Sequence, residues 1–234
     1  MGGLTRPALL AAALALTLTA CGSKGSAPLP TFQPTVAPPS GQAAAALDEI
    51  TLRGDLIDVS ALPSGFTALP DPPPGSTSGA GSTTNPSQCA KVLAAIADQV
   101  PGATGQAAAQ FGGNDFASVD VDAASYPNGM AAQAFSTVQS LVRECAKYSG
   151  KDADGTNVEF RAGGLDQPQA GNASTAFQLN TTSQGLTLHT VVNVVLVGST
   201  VVQIAWSDSK QPDLKQLTTI TTAQVRKLQG AAGP

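Results

Sequence analysis

The chain has 234 residues, with 12 basic and 16 acidic side chains and a formal net charge of −4. Its few Lys and Arg are scattered along the chain, without the basic stripe that a nucleic-acid binder carries, so nucleic acid is not an expected partner. Only 12% of residues are charged and 4% aromatic, so any core is built from small and β-branched side chains, in a length that accommodates one domain and a linker.

Arg6 precedes an uncharged run from Ala8 to Ala20, the pattern of a secretory signal peptide over residues 1–20. At roughly 13 residues the run is shorter than the ~20 needed to cross a bilayer core. Leu18-Thr19-Ala20-Cys21 resembles the bacterial lipobox, in which small residues precede a cysteine that is lipidated and becomes the first residue after cleavage. That resemblance implies lipidation at Cys21, with palmitate among the acyl chains. Two or more chains hold a protein at a membrane where one does not. The expected location is the extracytoplasmic face of the cell membrane, and the alanine-rich, lysine-poor usage is that of high-GC actinobacteria.

The three cysteines are an odd number for an exported protein. With Cys21 lipidated, Cys89 and Cys145 remain as an even pair in an oxidising compartment, where a disulfide is expected.

Residues 21–43 are rich in Pro, Ser, Thr and Ala without an amphipathic period, and read as a tether that does not fold by itself. Its Thr and Ser residues are candidate acceptors for O-linked sugar. A single domain is expected over 44–230, interrupted by a Gly/Ser-rich loop at 70–87. Ala44 to Thr51 suggests a short helix, and Phe66 to Leu69 a short strand after the turn at Pro63-Ser64-Gly65. Cys89, Val92, Leu93, Ile96 and Val100 fall at helical spacing up to Pro101-Gly102. "FASVDVDAASYP" alternates as a strand. Met130, Ala134, Val138, Leu141, Val142 and Cys145 mark a second helix. Strands follow at Asn157–Ala162, Thr175–Asn180, Leu186–Val197 and Thr200–Trp206, the last two joined by the hairpin pair Gly198-Ser199. Leu214, Leu217, Thr221, Val225 and Leu228 make a final helix over Asp213–Gln229.

Successive strands joined by short turns imply an antiparallel sheet, and the fold class expected is α+β with helices packed mainly on one face. The Cys89–Cys145 bond then staples two helices. Closing so long a loop constrains the unfolded chain by about 4 kcal/mol in the entropy model.

The strand ending in Tyr126-Pro127, the alanine-rich helix containing Ala131 to Phe135, and the pair Cys89 and Cys145 resemble the PknH-like extracellular sensor domains of mycobacterial receptor kinases and their lipoprotein relatives. The resemblance covers about Ala44 to Gln229. It implies one α+β domain with a ligand-binding cleft and no catalysis. The chain departs from the family in having one candidate disulfide instead of two, and Val142 where relatives often place a tryptophan.

His189 is the sole histidine, on a strand face shared with Thr187, Val191 and Asn193. No G-x-S-x-G segment offers it a serine, so a plain strand-face role is expected and no catalytic residue is assigned. One histidine and two bonded cysteines do not make a zinc site. Asp152, Asp154, Asn157 and Glu159 surround Gly155 as in a calcium loop, but the spacing departs from the EF-hand and suits a simple turn. Asp120 and Asp122 are expected on a solvated strand face, and Trp206 in the core. The Asn-x-Ser/Thr matches at Asn172 and Asn180 carry little in a bacterial lipoprotein.

No metal or cofactor is expected. The function expected is that of a non-catalytic envelope lipoprotein, anchored through Cys21, whose sensor-like domain binds a cell-wall, lipid or protein ligand. The alternative is a structural or surface-interaction lipoprotein without a small-molecule ligand.

Overall fold

A computed structural model describes residues 28–39, 44–70 and 81–230. Cys21, the signal-like run and most of the Gly/Ser segment lie outside them. A nine-stranded sheet organises the chain, its strands being β1 (Thr67–Ala68), β2 (Thr83–Asn85), β3 (Gly105–Gly112), β4 (Ser118–Ser125), β5 (Lys147–Lys151), β6 (Asn157–Gly164), β7 (Ala173–Ser183), β8 (Leu186–Val197) and β9 (Thr200–Asp208). The order is β1-β3-β4-β9-β8-β7-β6-β5-β2, and every pair is antiparallel. The helices are α1 (Glu49–Gly54), α2 (Ile96–Gln99), α3 (Met130–Glu144) and α4 (Leu214–Leu228).

The expected strands at 157–162, 175–180, 186–197 and 200–206 are all present, most of them longer than expected. The hairpin at Gly198-Ser199 forms with Gly198 at φ +58°, a left-handed position that costs glycine little. Three strands were not expected. β3 consists largely of Ala and Gln, β5 is a lysine-flanked "KYSGK", and β2 falls inside the segment read as a loop.

Helices lie on both faces of the sheet, which corrects the expectation of one. Successive strand residues point to opposite faces, and the core divides accordingly. Val192, Val194 and Leu196 of β8 pack with Ala131, Ala134, Phe135, Val138 and Val142 of α3. Val191, Val195 and Val197 pack with Leu52 of α1 and with Leu217, Ile220 and Val225 of α4. β8 is buried on both sides from Thr190 onward, so its run of valines has two cores to fill.

α3 starts behind Asn128 and Gly129, both at positive φ, and its alanines let it lie close to the sheet. α4 is capped by Asp213, whose carboxylate accepts from the Lys215 N–H at 2.8 Å. Its threonines are compatible with helix because Thr218, Thr219 and Thr222 donate to the carbonyls of Leu214, Lys215 and Thr218, one turn back.

The helix expected over Cys89–Val100 is broken into a 3₁₀ turn at Ser87–Lys91 and the short α2. The Cys89–Cys145 disulfide forms, with Cα atoms 5.6 Å apart. It joins the 3₁₀ turn to the C-cap of α3, not one helix to another.

Part of the segment read as a tether is seated on the domain. β6 runs past the end of β5, and its Gly164 N–H, left without a strand partner, donates to the Pro30 carbonyl at 2.8 Å. The Gln139 side chain of α3 accepts from the Val36 N–H at 2.9 Å and donates to the Val36 carbonyl at 3.0 Å. Phe32 and Val36 pack against the α3-side core. The segment has no amphipathic period because single side chains and backbone groups hold it, not a continuous apolar stripe.

Candidate functional site

Register brings together a set of polar side chains that are far apart in sequence. Lys147 of β5 pairs with Arg161 of β6, Arg161 with Asn180 of β7, Asn180 with His189 of β8, and His189 with Asp208 of β9. Paired residues share a face, so the five form one row across the sheet. Ser149, Glu159, Thr182 and Thr187 make a second row beside it. Both rows lie on the face that α1 and α4 cover farther along. Here Lys147, Ser149, Glu159 and Arg161 are exposed, and the β7 to β9 members are half-buried.

The rows are cross-linked. His189 Nδ1 and Asn180 Oδ1 are 2.9 Å apart, and the hydroxyls of Thr182 and Thr187 are 3.0 Å apart. Arg161 and Glu159 approach to 3.9 Å, an exposed pair that contributes little stability and leaves the guanidinium accessible. Cations stand at the β5–β6 side of the rows and Asp208 at the far side. The surface offers donors, acceptors and charge of both signs across five neighbouring strands.

At the β5 edge the sheet opens into a groove of about 380 Å³ lined by Asn85, Lys147, Tyr148, Ser149, Glu159, Phe160 and Arg161. It exists because β2 stops at Asn85, opposite Ser149, so β5 runs on beyond it. Tyr148 and Phe160 stack beside it with centroids 4.4 Å apart, and burial pushes the Tyr148 hydroxyl up to about 12. A second depression of about 280 Å³ lies between Ala44–Ala45, the Gly198–Ser199 turn and the end of α4. Both are open to solvent.

His189 takes the strand-face position expected of it, but within a polar row. Asp120 and Asp122 correct the expectation of a solvated face. Asp122 accepts from the Ile96 N–H at 2.5 Å and so caps α2. Burial, reinforced by the Asp98 charge, pushes its carboxyl up to about 6 against the pull of that hydrogen bond. Burial raises Asp120 too, while its contacts with Ser118 and Gln110 oppose the shift. Tyr126 pins the other end of α2, donating to the Val100 carbonyl at 2.7 Å.

Asp152 accepts from the Asp154 and Thr156 N–H groups at 3.0 and 2.8 Å, so it shapes the β5–β6 turn. Glu159 sits on the strand beyond that turn. Among the described residues no three His, Cys, Asp or Glu side chains come together as a metal site. Trp206 is a core residue, edge-on to Phe66 at 5.9 Å. Asn172 accepts from the Gly198 N–H at 2.6 Å. Sequence reasoning missed Lys147, Arg161 and two glutamines, Gln139 at Val36 and Gln224, whose side chain accepts from the Ile57 N–H. The polar alternation of β6 carried a signal for Arg161, whereas the glutamines had none.

Together these features define an α+β domain built on one wide antiparallel sheet, stapled by a disulfide and presenting a polar sheet face. The fold is that of the extracellular domain of PknH from Mycobacterium tuberculosis, with a TM-score of 0.59 at 15% sequence identity, over 79% of this chain and 98% of that one. An uncharacterized protein of Mycobacterium smegmatis, an Rv0999 ortholog, gives a TM-score of 0.37 at 16% identity over 71% of this chain and 92% of that one. No family model and no curated protein matches the sequence. Among the described residues no helix is long and apolar enough to cross a membrane.

Proposed function

We propose that this protein is a non-catalytic envelope lipoprotein, anchored at the extracytoplasmic face of the cell membrane through lipid on Cys21, whose sensor-like domain binds a partner across its polar sheet face. The row Lys147–Arg161–Asn180–His189–Asp208 carries the reading. Five side chains able to donate or accept, held in register by the backbone, make a pre-ordered binding surface. The row spreads over five strands, well beyond the groove at its β5–β6 end, which favours a protein or a cell-wall polymer over a small molecule, because drug-sized ligands need concave sites that enclose most of their surface. The disulfide supports an oxidising compartment, and the fold shared with an extracellular domain is consistent with it.

Two experiments test the two halves of this reading. Cys21→Ala is expected to move the protein from the membrane fraction to the soluble fraction, and unchanged fractionation contradicts the anchor. Titration of the protein with soluble cell-wall glycan fragments and envelope proteins is expected to give binding that the Lys147→Ala/Arg161→Ala double variant weakens about tenfold, or about 1.4 kcal/mol. Binding indifferent to both substitutions removes the sheet face from the account.

The alternative is a structural or surface-interaction lipoprotein without a small-molecule ligand that uses the same face, a reading that the openness of both grooves also supports. It predicts a protein partner and no response to glycan or lipid fragments.

A further inference from the structure

The contact between residues 29–36 and the domain has the chemistry of peptide recognition. The floor is the overrunning end of β6, whose Gly164 N–H donates to Pro30, as when a peptide adds to a free sheet edge. A Cβ at Gly164 would collide with the Thr31 carbonyl oxygen, and one at Gly163 with Leu29 and the Pro30 carbonyl. The glycine pair therefore makes room for an extended backbone. The wall is α3. Its buried Gln139 grips both polar groups of Val36, Arg143 donates to the Gln33 carbonyl, and the same guanidinium lies 5.4 Å from the Phe32 ring centroid. A small gap remains beside Phe32 against Val138, Val142 and Phe177.

The seated segment does not behave as core. Each of residues 28–39 is exposed or half-buried, and the prolines at 28, 30, 34, 38 and 39 have no N–H to donate. Their fixed φ keeps the segment extended before it docks, which lowers the ordering cost. It is a preorganised ligand held by a few contacts.

We infer that the cleft between α3 and the free end of β6 is a peptide-recognition site for extended, proline-bearing segments with an aromatic side chain and, four residues on, a β-branched one, and that residues 29–36 are the ligand it holds in cis. A partner's segment of that chemistry competes with the chain's own. The inference is independent of the lipid anchor and of the polar sheet face.

The test uses the full chain with a protease site replacing residues 40–43, and a labelled peptide of residues 28–39. After cleavage, the expected result is saturable one-to-one binding or exchange of the labelled peptide, at least about tenfold tighter than to the uncut chain, whose groove is occupied. Gln139→Ala and Gly164→Ala in the cut protein, and Phe32→Ala in the peptide, each weaken it about tenfold or more. A cut protein that keeps its circular dichroism yet takes up no peptide overturns the inference. So does one that binds the Phe32→Ala peptide equally well. A cut protein that unfolds, or that holds its fragment without exchange, shows that residues 29–36 belong to the core and overturns it as well.

Discussion

On one face of the sheet Gln224 of α4 grips the chain at residues 55–57; on the other, Gln139 of α3 grips it at Val36. The chemistry is the same. Gln224 accepts from the Ile57 N–H at 2.9 Å and donates to the Asp55 carbonyl at 2.8 Å, as Gln139 does at Val36. The surroundings differ. Both glutamines are buried, but the segment that Gln224 holds contributes Leu56 and Ile57 to the core. Lys227 adds a bond to the Leu56 carbonyl at 2.9 Å. Around Gln139 no residue of the gripped segment is fully buried. One amide clamp is therefore part of the fold, and the other holds a segment that can leave. Burial around a hydrogen bond, not the bond itself, decides which.

The largest effect that separates the two is expected from Gln224→Ala. It leaves the buried Ile57 N–H and the half-buried Asp55 carbonyl without this partner and opens a cavity, lowering the unfolding free energy by about 2–4 kcal/mol in urea titrations. Removing the disulfide with Cys89→Ser/Cys145→Ser is expected to cost a similar 2–4 kcal/mol, measured against the same chain with its bond intact.

The next effect is on the α3 side and depends on pH. The folded-state carboxyl of Asp122 titrates near 6, above its unfolded value, so the folded state holds the proton more tightly. Stability from this group is present at low pH and declines as pH rises through about 4 to 6. Asp122→Asn keeps an acceptor for Ile96, so it is expected to flatten that decline and to raise stability above pH 6 by about 1–2 kcal/mol. A variant with an unchanged pH profile places the carboxyl elsewhere in the titration. The smallest global effect is expected from Gln139→Ala, under about 1 kcal/mol in the same unfolding assay, although it frees the 29–36 segment.

Legibility from sequence followed the same division. α3, α4 and the β8–β9 hairpin were readable because long apolar periods and a Gly-Ser turn specify them locally. The disulfide followed from counting cysteines. β3 was not readable, because alanine alternating with glutamine gives little contrast between faces, and only pairing with β4 makes the segment a strand. Helices on both faces could not be read either, since the doubly buried β8 presents the same valine run whichever side each helix takes. The charge of Asp122 in an alternating strand points to solvent, but its carboxylate caps α2 from beneath. His189 was placed on the correct strand face, while its row needed the register of five strands. The docked segment was hidden by its own prolines, which signal an unfolded tether and here preform a ligand.

Native-state hydrogen exchange at the Val36 and Ile57 amides is the direct measurement. Both N–H groups donate to a glutamine side chain, at 2.9 Å in each case, so the bond itself does not distinguish them. The account predicts that Ile57 exchanges only with global unfolding, its exchange free energy falling with denaturant as the whole domain's does. Val36 is predicted to exchange through a local opening, several kcal/mol easier and insensitive to denaturant. Val36 exchanging at the global free energy, or Ile57 through the same local opening as Val36, would contradict it.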